Sequence, residues 1–226
     1  VPVARHRLCT DANEARSFAA LAGYPLVCKP PAGAGAKATF RVEHGAALED
    51  ALRAMPPSRE RPLQIEEFLS GKEHSFDAVN LGVQTVWHSL TRYEPTPLTV
   101  LENPWIQWTV LVPREIDHPQ WDDIRAVATK ALRALGMTSG VSHMEWFRRP
   151  DGSVAVSEVG ARPPGAQICT LHSLAHDFDL YAAWGRAVVL DQFTAPERRY
   201  ACGAAYLRAQ GRGRTIKAVH GLDQAQ

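Results

Sequence analysis

A hairpin predicted around residues 150–153 constrains the fold of this chain more than any other feature. Residues 141–149 and 153–159 alternate as strands do, and the Pro-Asp-Gly-Ser between them is a typical turn sequence. If those four residues form the loop, Arg149 flanks Val154, and counting back along both strands places Glu145 opposite Glu158. We therefore expect the two carboxylates to share one face of the hairpin.

Two like charges that face each other across antiparallel strands repel, so a neutralising partner is expected. Phe147, Val154 and Val156 are predicted to line the same face and to desolvate both carboxylates. A Mg²⁺ ion held by Glu145, Glu158 and phosphate oxygens would supply the missing charge, because Mg²⁺ takes few protein ligands. The alternative is a register shifted by one residue, which sends the two glutamates to opposite faces.

Composition limits the other possibilities. The 226 residues suit one large or two small domains, and 45% hydrophobic and 22% charged residues are typical of a globular protein. With 25 Lys and Arg against 24 Asp and Glu, the chain offers no broad basic surface, so we expect no nucleic-acid partner. No apolar run reaches the roughly 18 residues of a membrane span, which predicts a cytoplasmic protein with no membrane partner. The four cysteines form no Cys-x-x-Cys pair, so neither a disulfide framework nor a zinc site is expected.

The sequence predicts alternating helices and strands of an α+β protein. Helices are predicted over residues 11–21, 46–55, 120–135 and 165–189. Strands are predicted over residues 25–29, 39–43, 63–69, 74–81, 84–93, 105–113, 141–149, 153–159, 200–209 and 215–219. The Pro-rich stretch 94–104 is predicted to be a loop, because it cannot form a central strand.

A second candidate site lies where the strand ending at Lys29 runs into Gly33, Gly35 and Lys37. A loop without bulky side chains lets backbone N–H groups approach phosphate oxygens, and two lysines add positive charge. The Walker pattern and the G-x-G-x-x-G pattern are both absent. The alternative is an ordinary flexible hairpin tip with solvated lysines.

Three further features are weaker. The backbone of the strand end Glu66, Glu67, Phe68 and Leu69 could read an adenine edge; an edge strand with exposed acids is the alternative. Arg162, four residues after Glu158, suits a transferring phosphoryl group, or a salt bridge to one of the glutamates. Among the histidines, His172 and His176 lack a third ligand and are expected to be core or surface residues, and His143 could touch a substrate or be a satisfied core residue.

The order of these motifs resembles the ATP-grasp superfamily, most closely its biotin-carboxylase-like and carboxylate–amine ligase members, over residues 2–166. The resemblance implies an ATP-grasp fold of two α+β subdomains, residues 1–71 and 72–226, whose mainly antiparallel sheets clamp ATP. It implies these roles: Lys29 on the nucleotide, Gly33, Gly35 and Lys37 in a lid loop, Glu66, Glu67, Phe68 and Leu69 as the adenine hinge, Glu73 near the ribose, Glu145 and Glu158 on Mg²⁺ (or Mn²⁺), and Arg162 at the phosphoryl group.

The function implied is an ATP-dependent ligase that converts a small-molecule carboxylate into an acyl phosphate, which an amine then attacks. Arg92 and the stretch 93–108 are our candidates for a catalytic residue and the substrate wall; a structural connection is the alternative for the stretch. Gly160 departs from the Asn of many relatives, so a second metal site is expected to be weaker or to be completed by water. A domain is expected before Val1. A non-catalytic ATP-binding module and a biotin carboxylase component are the rival functions, and a homodimer remains open.

Overall fold

The computed structural model describes residues 1–32, 39–209, 213, 215, 218 and 220. Gly33, Gly35 and Lys37 lie outside the described residues, as does most of the strand predicted over 215–219. In chain order the elements are β1 (His6–Cys9), α1 (Ala12–Ala22), β2 (Leu26–Lys29), β3 (Phe40–Val42), α2 (Gly45–Ala54), β4 (Leu63–Glu67), β5 (Lys72–Leu81), β6 (Gln84–Glu94), α3 (Pro97–Glu102), β7 (Trp108–Val112), α4 (Asp122–Ala134), β8 (Gly140–Arg148), β9 (Val154–Gly160), α5 (Ile168–His176), α6 (Leu180–Leu190) and β10 (Cys202–Tyr206).

A four-stranded antiparallel sheet, in the order β1-β4-β2-β3, is built from the N-terminal part of the chain. Helices α1 and α2 pack on one of its faces around a core that includes Leu26, Cys28 and Ile65. Because side chains alternate along a strand, Val27 and Lys29 point to the other face. That face is the one left free for a ligand.

A six-stranded antiparallel sheet, in the order β10-β7-β6-β5-β8-β9, is built from the rest of the chain. Helix α4 packs on one face against Phe76, Leu90 and Trp146. Helices α5 and α6 cover part of the opposite face around Val79 and Val141. The uncovered part of that second face carries Glu73 and Glu145, and it faces the small sheet.

The first residues of the chain bridge the two sheets. The Pro2 carbonyl accepts a hydrogen bond of 2.9 Å from the Val156 amide, and Val3 forms a parallel bridge with Val156 of β9. Three residues after Val3, at His6, the chain enters β1 of the small sheet. Within the described ranges, no helix is both long enough and apolar enough to cross a membrane.

Local sequence signals explain the helix boundaries, including two that the sequence analysis placed wrongly. Asp179 accepts a hydrogen bond from the Ala182 amide and starts α6, so the helix predicted over 165–189 is two helices separated at Asp177, whose φ is +51°. The predicted loop 94–104 contains α3, because Thr96 is its N-cap and Pro97 occupies its first turn. Strand β1 was not predicted.

The Glu145 to Glu158 pairing forms as predicted, but by a different route. Arg148 rather than Arg149 pairs with Val154, because the turn is closed at Arg149 by its hydrogen bonds with Ser153 and Gly152. This register alone would put Glu145 opposite Ser157. An irregularity between Glu145 and Trp146 adds one residue on β9 and restores the Glu145–Glu158 pair.

Candidate active site

A cleft of about 490 Å³ lies between the free faces of the two sheets. Its lining residues come from both sheets, from the segment that joins them, and from α3 and β10. They are Val27, Lys29, Thr39, Glu66, Glu67, Phe68, Leu69, Glu73, Pro97, Leu98, Val100, Leu101, Trp108, Glu145, Phe147, Ser157, Glu158, Arg162, Tyr206 and Arg208. The structure thus brings together all the predicted site residues that it describes, except Arg92.

The acids of the small sheet are already paired with basic side chains. Lys29 Nζ lies 2.9 Å from Glu66 Oε2. Glu67 is held by Arg5 at 2.6 Å and by Arg149, from the β8–β9 turn, at 3.0 Å. These pairs fix both carboxylates, so any recognition of a ligand by this segment falls to its backbone and apolar groups.

The segment Phe68–Leu69 has a backbone suited to that role. The Phe68 amide donates to the Pro25 carbonyl at 3.1 Å, which holds the segment against the start of β2. Leu69 lines the cleft, and its backbone amide makes no hydrogen bond to any described residue. An N–H at this place is available to a ligand acceptor.

On the opposite wall, Glu145 and Glu158 lie on the cleft face of β8 and β9. Phe147 shares this face, as predicted. Val154 and Val156 do not: they belong to the core beneath α4 with Trp146, because the true register places them opposite Arg148 and Trp146. The prediction that these two valines desolvate the carboxylates is therefore wrong.

Glu73 is the most deeply buried acid of the cleft, with 6% of its surface exposed. Its carboxyl group makes no hydrogen bond or ion pair with any described residue. Burial, together with the negative charges of Glu145 and Glu158, raises the pKa of Glu73 to about 8. A buried acid whose ionisation is opposed by two neighbouring carboxylates marks a place where a cation is favoured.

Arg162 lies beside Glu158, with Nη2 4.0 Å from Oε1. Its side chain folds over Gly160: a Cβ at position 160 would lie 3.2 Å from Arg162 Cγ and 3.3 Å from Nε. A side chain at position 160 would therefore require the Arg162 side chain to shift by a few tenths of an ångström.

Behind Glu145 lies a buried charged cluster that the sequence analysis did not identify. Asp77 accepts hydrogen bonds from His143 Nδ1 at 2.6 Å and His172 Nε2 at 2.9 Å. Burial alone would raise the pKa of Asp77, but the two histidines lower it well below its usual range. Burial would likewise lower the pKa of His143, yet the charge of Asp77 and the nearby Glu145 raise it to about 10.

The structure does not bring Arg92 to the cleft. Arg92 pairs with His74 on the face of the large sheet that packs against α4, and its guanidinium lies 5.3 Å from the ring centre of Trp121. The stretch around it does reach the cleft, through Leu98 and Leu101 of α3 and through Trp108. Arg92 itself is placed as a packing residue.

Charge and donor chemistry in the cleft fit a divalent cation. The described lining carries five acids (Glu66, Glu67, Glu73, Glu145 and Glu158) and three basic residues (Lys29, Arg162 and Arg208). With the first two acids paired, the carboxyl groups of Glu73, Glu145 and Glu158 remain, and Arg162 lies next to Glu158. No group of three His, Cys, Asp or Glu side chains in the described part is arranged as a metal site, so a cation would take Glu145 and Glu158 and fill its other positions with phosphate or water oxygens.

Comparison with known proteins agrees with this architecture. A family model, the ATP-grasp domain, matches residues 1–176, and the chain belongs to the ATP-grasp family. The α+β ATP-grasp fold expected from the sequence is thereby confirmed.

Solved structures share the fold at low identity. A carboxyaminoimidazole ribonucleotide synthase from Aspergillus clavatus, complexed with ATP, is 22% identical with a TM-score of 0.69, over 89% of this chain and 51% of that one. An L-amino acid ligase from Bacillus licheniformis is 21% identical with a TM-score of 0.65, over 83% and 43%. The biotin carboxylase domain of a Hydrogenobacter thermophilus 2-oxoglutarate carboxylase, with MgADP and bicarbonate, is 18% identical with a TM-score of 0.64, over 86% and 43%. This chain therefore spans about half the length of the proteins it resembles.

Proposed function

We propose that this chain is the core of an ATP-dependent ligase, which activates a carboxylate as an acyl phosphate for attack by an amine. The observation that carries the proposal is the facing pair Glu145 and Glu158 on one wall of a cleft whose other wall presents Lys29. Two facing acids and a lysine together suit a nucleoside triphosphate with its divalent cation. We assign residues 1–71 and 72–226 as the two subdomains that hold it.

In this proposal the adenine lies between the two walls of the cleft. Val27 and Leu69 contact it from the small-sheet wall, and Phe147 contacts it from the large sheet. The free amide of Leu69 would donate to a ring nitrogen, and Glu73 would lie near the ribose. Lys29 would exchange part of its ion pair with Glu66 for phosphate oxygens. We also assign the loop residues Gly33, Gly35 and Lys37 to the phosphates, on the resemblance alone.

Glu145 and Glu158 would hold Mg²⁺, which when bound screens the phosphate charge. The substrate carboxylate oxygen then attacks the γ-phosphorus, the bond to the β-γ bridging oxygen breaks, and ADP leaves. Arg162 would stabilise the charge on the transferring group from its position beside Glu158. The amine nitrogen attacks the acyl carbon, phosphate leaves, and the amine loses a proton. The protein contributes positioning and electrostatics.

The apolar wall of Leu98, Leu101 and Trp108 supports a substrate with an apolar part. Trp108 packs against Tyr206 with the rings tilted by 33° and their centroids 5.0 Å apart, and its Nε1 donates to the Pro95 carbonyl at 3.1 Å. These contacts fix the indole as one rigid side of the cleft. Such a surface favours an acid or amine with an apolar side chain over a fully polar one.

Calorimetric titration with ATP and Mg²⁺, followed by an assay of phosphate release with panels of acids (bicarbonate included) and amines, tests the proposal. Glu158→Gln should weaken MgATP binding about tenfold or more. The exposed Glu197→Gln, outside the cleft, should leave binding unchanged. Retained Mg²⁺ dependence in Glu158→Gln would refute the metal assignment.

The same assay separates the rival functions. MgATP binding without phosphate release for any acid and amine pair would favour a non-catalytic ATP-binding module. Phosphate release with bicarbonate alone would favour a biotin-carboxylase-type reaction.

A further inference from the structure

Glu145 has a rigid support that the proposed function does not by itself require. We propose that Asp77 is a positioning residue that acts through His143 to hold the carboxylate of Glu145 in the orientation that binds the metal. The inference rests on the proposed function, in which Glu145 is a metal ligand. It assigns a role to two buried residues that are not themselves ligands.

The geometry begins at Asp77, which is 1% exposed on the cleft face of β5. One carboxylate oxygen accepts from His143 Nδ1 at 2.6 Å; the other accepts from His172 Nε2 at 2.9 Å and from Ser75 Oγ at 2.9 Å. Both oxygens are occupied, and the side chain is almost fully buried. Asp77 therefore holds the His143 ring in one orientation.

The ring held in this way borders Glu145. His143 and Glu145 are two residues apart on β8, so their side chains lie on the same face. With Nδ1 tied to Asp77, the Nε2 edge faces the carboxylate, and Nε2 lies 3.6 Å from Glu145 Oε1. The imidazole thus limits the rotamers of a glutamate that is itself 26% exposed to the cleft. Outer residues that orient a metal ligand in this way typically change metal affinity by about 10- to 100-fold.

His172 supplies a matched control, because it binds the same carboxylate from helix α5 without any contact to Glu145. The amide nitrogen of Asn can replace a histidine Nδ1, and that of Gln can replace Nε2. His143→Asn can therefore keep its hydrogen bond to Asp77 while it loses the ring edge beside Glu145. His172→Gln can keep its hydrogen bond to Asp77 and leaves Glu145 untouched.

The experiment measures Mn²⁺ affinity by electron paramagnetic resonance in the presence of ADP, and the melting temperature of each variant. We expect His143→Asn to weaken Mn²⁺ binding about 10- to 100-fold, with a melting temperature close to that of His172→Gln. We expect His172→Gln to bind Mn²⁺ as the wild type does. Asp77→Asn should weaken Mn²⁺ binding as His143→Asn does. The double variant Asp77→Asn/His143→Asn should show no further loss of affinity, because Asp77 acts through His143.

The outcomes separate the inference from the function on which it rests. If the wild type binds Mn²⁺ with ADP and Glu145→Gln abolishes this, while His143→Asn binds as the wild type does, the positioning role is overturned and the proposed function stands. Equal losses in His143→Asn and His172→Gln would also overturn it, since they would indicate a general structural effect. If His143→Asn fails to fold, wild-type affinity in Asp77→Asn overturns the inference. If Glu145→Gln binds Mn²⁺ as well as the wild type does, the metal assignment fails, and the inference fails with it.

Discussion

Replacing Glu73 with Gln should make the unliganded protein more stable at neutral pH. Glu73 is buried at the cleft, has no described partner, and faces the charges of Glu145 and Glu158. Ionisation of this group in the folded state is therefore unfavourable, because the charge is desolvated and repelled at once. Gln has nearly the same shape, carries no charge, and can donate to the neighbouring carboxylates.

The magnitude follows from the shift in pKa. A rise from 4.5 to about 8 corresponds to about 5 kcal/mol between the two protonation states. The folded state binds the proton more tightly than the unfolded chain, so the cost of ionising Glu73 is absent below pH 4.5, increases as pH rises, and is complete above pH 8. At pH 7 the cost is on the order of 3 kcal/mol, and Glu73→Gln removes it.

Urea unfolding at pH 5, 6, 7 and 8, with EDTA and without nucleotide, measures the effect. The free energy of unfolding of Glu73→Gln should exceed that of the wild type by an amount that grows with pH over this range. The exposed Glu197→Gln should show no such growth. A difference between Glu73→Gln and the wild type that stays constant from pH 5 to pH 8 would refute the reasoning.

Three further substitutions test the packing around the cleft, each by urea unfolding. Gly71→Ala should lower the free energy of unfolding by about 3 kcal/mol or more. Gly71 has a φ of +131°, and a Cβ there would clash with the Arg148 carbonyl oxygen. A loss under about 1 kcal/mol would contradict this contact. Ile65→Ala should cost about 2 to 5 kcal/mol through the cavity it leaves in the small core, and a neutral result would contradict the burial of Ile65. Arg149→Gln should cost at most about 1 kcal/mol, since Arg5 still pairs with Glu67; a much larger loss would mean that this ion pair joins the two sheets.

The hairpin around residues 150–153 shows how far sequence periodicity can be followed. Alternation identified both strands, and the Glu145–Glu158 pair was predicted correctly. A regular ladder predicts this pair, whereas in the structure the pair forms through a shifted turn and one extra residue on β9. A bulge leaves no trace in a period-two pattern, and the missed bulge is also why Val156 was assigned to the wrong face.

Residues whose role depends on tertiary contacts alone are the hardest to predict from the sequence. Asp77 is one acid within an alternating strand, and its two histidines follow 66 and 95 residues later. Arg92 was misplaced for the related reason that a strand's two faces cannot be told apart until its neighbours are known. The capping signal of Thr96 and Pro97 was available, and it would have identified α3 on local grounds.

The two walls of the cleft differ in how their acids are balanced, and this difference bears on function. On the small-sheet wall, Glu66 and Glu67 have basic partners within the protein. On the large-sheet wall, Arg162 lies 4.0 Å from Glu158 and His143 lies 3.6 Å from Glu145, but Glu73 has no described partner and is left with a deficit of positive charge that a protein selected for stability alone would not keep. A divalent cation would remove this deficit when it binds, so the nucleotide complex should regain the stability that the unliganded fold gives up. Adding Mg²⁺ and ADP should therefore reduce the pH-dependent difference in the free energy of unfolding between Glu73→Gln and the wild type from pH 5 to pH 8.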